Sequence, residues 1–145
     1  MRKFEDSLPL QLLKAREATM AFFRPLLQEN NITEQQWRVL RALKAFGELE
    51  SKQLADHCCI LSPSLTGIIK RLEHQGYITR KKSEEDQRRT LIRLTEKSQV
   101  LFTRLSPDVE AKYKRFTDLY GTEKLTELSQ LLKELTELES DSQDN

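Results

Sequence analysis

Two stretches hold residue types and spacings suited to chemistry. Residues 83–98, SEEDQRRTLIRLTEKS, set Asp86, Arg88 and Arg89 behind Glu84 and Glu85 and ahead of a short β-branched and aliphatic run. Residues 62–76, SPSLTGIIKRLEHQG, place Ser62, Ser64, Thr66 and Gly67 at the start of an apolar-periodic segment and Lys70 and Arg71 further along it. Cationic forks and ammonium groups among small hydroxyl side chains suit the holding of an anion rather than the breaking of a bond. Arg88 and Arg89 could enter a minor groove or neutralise phosphates, whose field favours arginine in narrow A·T-rich grooves. Asp86 can pair with one of them and orient the loop, although an exposed pair contributes only about 0–1 kcal/mol. A charged hairpin tip that merely blunts aggregation is the alternative.

Catalytic chemistry is poorly supplied. The chain has only His57 and His74, no glycine loop to cradle phosphate and no metal-ligand spacing, so no catalytic residue, metal or cofactor is expected. His57-Cys58-Cys59 offers a redox reading, with thiol oxidation at Cys58/Cys59 as a signal. Adjacent cysteines strain an intrachain disulfide, and buried structural thiols are the plainer reading. The absence of spaced, paired cysteines fits a reducing compartment. No apolar run approaches eighteen residues, and the N-terminus MRKFEDSLPLQLLKAREA lacks a signal-peptide core, so a cytoplasmic protein with no membrane segment is expected.

The net charge of +1 conceals an uneven distribution. Residues 62–97 carry nine basic and five acidic side chains, whereas 98–145 carry six and ten. A basic middle is what a polyanion would meet. With four glycines, four prolines and 32% charged residues in 145, the chain reads as one helix-rich domain.

The elements that must position these residues follow from periodicity. Leu12, Leu13, Arg16, Met20, Phe23 and Leu27 recur at three and four, which predicts a long helix from Leu8, capped by Ser7 and bent near Pro25. Thr33 and Gln36 have the spacing of a capping box, opening a helix through Trp37, Leu40 and Leu43 to Gly47. A short helix capped by Ser51 comes next, then a tight link, then a helix capped by Ser62 with Pro63 in its first turn and Leu65, Ile68, Ile69 and Leu72 buried. On that last helix Ser64, Thr66, Gly67, Lys70 and Arg71 face outward. Strand-like 77–82 and 90–95 predict a hairpin with a long charged tip, which makes a wing. Thr95 is placed to cap a further helix that Pro107 must bend or interrupt, and Gly121-Thr122 separates it from a last helix with Leu125, Leu128, Leu132 and Leu135 as a seam. The predicted fold is therefore mainly α with a small β-hairpin wing: a winged helix-turn-helix plus N- and C-terminal helical dimerisation regions. Its expected bounds are 33–97 for the DNA-binding lobe, 7–29 and 98–139 for dimerisation helices, and 140–145 for a disordered tail. An intramolecular bundle is the alternative to a homodimer.

This order of elements, with Asp86-Gln87-Arg88-Arg89 followed by LIRLTEKS, resembles the MarR family of winged helix-turn-helix regulators along essentially the whole chain. The resemblance implies a homodimer on palindromic double-stranded DNA, with the helix at 62–75 in the major groove and Arg88 in the minor groove. Ser51, Ser62, Ser64, Thr66, Gly67, Lys70, Arg71, Asp86, Arg88 and Arg89 are the DNA-facing candidates. It also implies release by a phenolic or aromatic acid. The stretches LLKAREATMAFFRPLLQENNITEQQWRVLRAL and CILSPSLTGIIKRLE are similar to the subgroup that represses homoprotocatechuate degradation operons, which implies hydroxyphenylacetate or 3,4-dihydroxyphenylacetate as effector. Cys58 departs from that subgroup's pattern. For the effector, Arg16, Met20 and Phe23 on the first helix and Trp37 and Arg41 on the second combine guanidinium, aromatic and thioether groups that could clamp a carboxylate and pack a ring. The alternative makes the aromatics core and Arg16 a helix cap or a partner for a carboxylate.

Overall fold

The computed structural model describes residues 1–138 and is mainly helical, with one two-stranded antiparallel sheet. Its elements are a 3-10 turn at Phe4–Asp6, α1 (Leu8–Met20), α2 (Arg24–Glu29), α3 (Glu34–Phe46), α4 (Ser51–Cys58), α5 (Ser62–His74), β1 (Ile78–Lys82), β2 (Thr90–Leu94), α6 (Glu96–Tyr120) and α7 (Thr122–Thr136). The chain divides into two units: Phe23–Val109, and Met1–Phe22 together with the residues from Glu110 onward. The expected tail at 140–145 lies outside the described residues.

The unit Phe23–Val109 holds the winged helix-turn-helix. Its core contains Leu40, Leu54, Leu65, Leu72, Ile78 and Ile92, all essentially without exposure. Each such side chain contributes about 1.5–3 kcal/mol on burial, and together they hold α3, α4, α5 and the hairpin around one centre. The unit extends beyond residues 33–97 because Leu26, Leu27 and Ile32 on one side and Leu101, Phe102 and Leu105 on the other are buried as well. The Thr33–Gln36 capping box is present, with Gln36 N–H donating to the Thr33 hydroxyl at 3.1 Å and Thr33 N–H to Gln36 Oε1 at 3.0 Å. Strand register pairs Ile78 with Leu94 and Lys82 with Thr90.

Several expected boundaries move. The first helix is broken rather than bent: α1 ends at Met20 and α2 begins at Arg24, with Pro25 in its first turn. Proline has no N–H to donate and its ring conflicts with the carbonyl four residues back, at Ala21, so the chain turns before it. Ser7 stands at the N-cap of α1 without a side-chain cap bond. Ser51 and Ser62 are the first helical residues, and the N-caps are Glu50 and Leu61. Pro63 takes the second helical position, where its missing N–H costs no intrahelical bond. Thr95 directs its hydroxyl to the Gly76 carbonyl at 2.6 Å, while its N–H donates to Ser98 Oγ at 3.0 Å. Pro107 does not interrupt α6, which runs on to Tyr120.

The other unit contains α1, the second half of α6 and α7. Phe116 is its aromatic centre, with Phe22 edge-on at 5.4 Å and Tyr120 stacked at 5.9 Å between ring centres. No residue of α1 or α7 is buried.

Candidate nucleic-acid interface

Helix α4 ends at Cys58, and the left-handed backbone of its C-cap Cys59 (φ 53°, ψ 45°) turns the chain toward α5. Leu54, Ala55 and Cys58 of α4 and Leu65, Ile68, Ile69 and Leu72 of α5 are buried. The helical period then leaves Ser62, Ser64, Thr66, Gly67, Lys70 and Arg71 exposed on α5, and Ser51 exposed at the start of α4. Thr66 spends its hydroxyl on the Ser62 carbonyl, 3.1 Å away. A Cβ built on Gly67 would meet nothing within 4 Å. Glycine inside a helix costs about 0.5–1 kcal/mol relative to alanine, so packing within the protein does not account for it.

The wing tip is organised by short local bonds. Ser83 N–H donates to the Arg89 carbonyl at 2.9 Å and Arg89 N–H to the Asp86 carbonyl at 3.0 Å, closing the loop. The buried Ser83 hydroxyl accepts the N–H groups of Glu85 and Asp86 at 3.3 and 3.4 Å. Asp86 accepts from the Arg88 N–H at 3.0 Å and from Arg88 Nε at 3.1 Å, with Nη2 at 3.4 Å. These bonds, the guanidinium's first and the backbone's second, hold the Asp86 carboxyl below the usual carboxylate range. Asp86 thus braces Arg88, whose side chain remains 92% exposed.

Arg89 is differently placed. Its Nε donates to Glu50 Oε1, joining the wing to the N-cap of α4. Arg93 pairs with Glu48 at 3.3 Å, and Arg80 with Glu73 of α5 at 3.1 Å. Residue types and spacing do not disclose Glu48, Glu50 and Glu73 as wing partners, because Glu50 and Arg89 are separated by 39 positions. The alternation Glu48-Leu49-Glu50 carried one usable signal, the period-two pattern of an edge strand.

The base of the interface is tied to α6. Lys97 Nζ donates to the Gln75 carbonyl at 2.5 Å, Thr95 Oγ1 to Gly76 and Ser98 Oγ to Tyr77.

The effector candidates are spread over both units. Arg16, exposed on α1 and 3.8 Å from a Glu17 carboxylate oxygen, and half-buried Met20 belong to one unit. Phe23, which is half-buried, belongs with Trp37 and Arg41 to the other. Trp37 is buried with its ring 5.2 Å from that of Phe102, and Arg41 is exposed one turn on. Cys58 is buried, and burial pushes its thiol above the ordinary value, whereas Cys59 is exposed. That arrangement does not favour an oxidation signal at Cys58. Among the described residues no helix is long and apolar enough to cross a membrane.

Comparison with known proteins agrees with this geometry. The MarR family model matches residues 32–90. The chain is 51% identical to the crystal structure of transcriptional regulator PA4135, covering 92% of this chain and 98% of that one with a TM-score of 0.88. It is 41% identical to the homoprotocatechuate degradative operon repressor of Escherichia coli over 97% of this chain and 95% of that protein. It is also 41% identical to NadR crystallised with 4-hydroxyphenylacetate, covering 96% of this chain and 99% of that one with a TM-score of 0.79. An exposed recognition helix, a braced arginine at a wing tip and whole-length similarity to regulators of this kind converge: the chain belongs to the MarR family of transcriptional regulators and is not an enzyme.

Proposed function

We infer that this protein is a cytoplasmic repressor that binds a palindromic operator as a homodimer and is released by an aromatic acid such as hydroxyphenylacetate or 3,4-dihydroxyphenylacetate. It controls an operon for aromatic catabolism. The observation that carries the DNA reading is the exposed face of α5, where Gly67 has open space outside it and Ser64, Lys70 and Arg71 flank it. A glycine that no protein neighbour requires fits the close approach of a groove wall. Arg88 is the minor-groove probe, Asp86 its brace, and Ser51, Ser62 and Thr66 contact the backbone at the helix starts. Two-fold symmetry would set the recognition helices about 34–36 Å apart, one turn of DNA.

The effector class is supported by the names of the relatives, one a homoprotocatechuate operon repressor and one bound to 4-hydroxyphenylacetate. Arg16, Met20, Phe23, Trp37 and Arg41 are the candidates for holding it. A ligand of this kind releases DNA only if it binds the non-operator conformation more tightly than the operator-bound one.

The test is a mobility shift on the DNA upstream of the protein's own gene, with and without 4-hydroxyphenylacetate and 3,4-dihydroxyphenylacetate. Retarded DNA that is freed by either acid is expected. Retardation unaffected by both acids would remove the effector from this reading, and no retardation would remove the operator.

A further inference from the structure

Most of the positive charge of the wing is already matched by carboxylates. Arg80 pairs with Glu73, Lys81 with Glu84, Arg88 with Asp86, Arg93 with Glu48 and Arg89 with Glu50. Lys70 and Arg71 of α5 and Lys82 at the end of β1 have no ion pair among the described residues. The basic surplus of residues 62–97 therefore overstates the cations free to meet phosphate, because Glu48 and Glu50 reach in from outside the segment.

These pairs differ in what must move to break them. Asp86 and Arg88 share one loop, and Arg88 can swing to a partner without disturbing another element. Glu50 belongs to a segment lying against β2 as a further edge: Leu49 N–H donates to the Ile92 carbonyl at 3.2 Å, and Ile92 N–H to the Leu49 carbonyl at 2.8 Å. Leu49 and Ile92 are buried, and strand alternation puts Glu48 and Glu50 together on the face opposite Leu49. Glu50 is further fixed by its capping box with Gln53, whose Oε1 accepts the Glu50 N–H at 3.0 Å. The Glu50 hydrogen bond and charge push the Arg89 guanidinium above its already high ordinary value. Its side chain is only 46% exposed, half that of Arg88.

We propose that Glu50 is a positioning residue that holds Arg89 in an internal ion pair, so that Arg89 sets the wing on α4 and adds no phosphate contact of its own. The inference rests on the reading that the chain binds duplex DNA. Sequence-independent affinity comes from counterions released when a free cation neutralises a phosphate. A guanidinium already neutralised by Glu50 has little counterion to release, and turning it to phosphate would leave the Glu50 carboxylate facing the backbone unpaired. Glu50 thereby lowers affinity for any duplex alike and leaves sequence discrimination to the base-reading groups on α5.

The experiment measures fluorescence anisotropy of a labelled duplex of scrambled sequence against the full-length native protein, Glu50→Gln, Arg89→Gln and the double variant, with salt raised from about 50 to 200 mM. Glutamine keeps an acceptor at the N-cap of α4, and circular dichroism checks that each variant is folded. Glu50→Gln is expected to steepen the log–log salt slope by about 0.9, so that its advantage over the native protein shrinks about 3.5-fold across that range. Arg89→Gln is expected to leave the slope unchanged, and the double variant to return to the native slope. A native slope in Glu50→Gln overturns the proposal, as does a slope about 0.9 shallower in Arg89→Gln. A gain that persists in the double variant also overturns it, since simple repulsion by Glu50 would then be the cause. A native protein with no salt-dependent affinity for any duplex, operator included, would instead sink the DNA reading itself.

Discussion

The hydroxyl of Ser98, in the first turn of α6, lies 2.5 Å from the carbonyl oxygen of Tyr77, which follows the recognition helix. The Ser98 hydroxyl oxygen in turn accepts the Thr95 N–H at 3.0 Å, and Ser98 is fully buried. With Thr95 on Gly76 and Lys97 on Gln75, the start of α6 satisfies successive carbonyls at the end of α5. Ser98→Ala would remove the hydroxyl from both the Tyr77 carbonyl and the Thr95 N–H, which would keep only their mutual bond at 3.2 Å. A loss of about 0.5–1.5 kcal/mol is expected in urea unfolding. Ser98→Thr, which keeps the hydroxyl, should recover part of it, and equal stability of the alanine variant and the native protein would contradict the role.

Arg88 is the wing residue best able to reach DNA, since its anchor is the neighbouring Asp86 and its side chain is 92% exposed. Arg88→Ala should weaken operator binding and make the salt slope shallower by about 0.9, one phosphate contact. Anisotropy titrations at several salt concentrations check this. An unchanged slope and affinity would take the wing tip out of the interface.

The Asp86 carboxyl is held below its ordinary range by Arg88, and the sign of its pH dependence follows. A depressed carboxyl contributes order above its ordinary value of about 3.9 and loses it as pH falls through the lower, folded value. A carboxyl-detected NMR titration should find the Asp86 midpoint below the ordinary value, and Arg88→Ala should raise it. A midpoint that Arg88→Ala leaves in place would mean that Arg88 is not the cause.

Periodicity made the buried faces of α3 and α5 legible, because Trp37, Leu40 and Leu43 on the first and Leu65, Ile68, Ile69 and Leu72 on the second recur at helical spacing. The wing was legible from two β-branched runs around a charged tip. Helix starts were less so: Ser51 and Ser62 have cap chemistry, yet each sits one position inside its helix, where Glu50 closes a box with Gln53 and Leu61 has the extended backbone that Pro63 allows. Long-range pairing left almost no trace. A glutamate beside a leucine says nothing of an arginine 39 residues away, and Arg89 reads as a phosphate contact until its partner is seen. Pro107 shows the opposite failure, a local signal for interruption that a helix of 25 residues absorbs.

The two adjacent thiols should behave differently. Burial favours the neutral form of Cys58, which suppresses the thiolate that reacts with electrophiles, whereas Cys59 is exposed. For a raised value the associated stability is fully present below the unfolded value and is lost as pH rises through the folded one. Native protein treated with iodoacetamide near neutral pH is expected to carry one adduct, at Cys59, with Cys58 modified only after unfolding. Equal labelling of both in the folded state would show that α4 opens readily.

The leucines of α7 bear on assembly. Leu131, Leu132 and Leu135 are 55%, 37% and 36% exposed in the single chain, and Tyr113 and Tyr120 of α6 are exposed as well. An apolar row on a helix with no buried residue is unfavourable in water unless another surface covers it, and a second copy related by a two-fold axis is the simplest cover. Because these side chains lie outside the core of Phe23–Val109, changing them should leave the winged helix folded. Leu132→Glu with Leu135→Glu is expected to reduce the mass in solution, measured by light scattering, from twice the chain mass of 17.0 kDa to that of one chain. Circular dichroism should stay helical while operator affinity falls by about a hundredfold or more, since two half-sites would no longer be bound by linked lobes. A native protein of single-chain mass, or a double variant that remains dimeric, would place the seam outside the dimer interface.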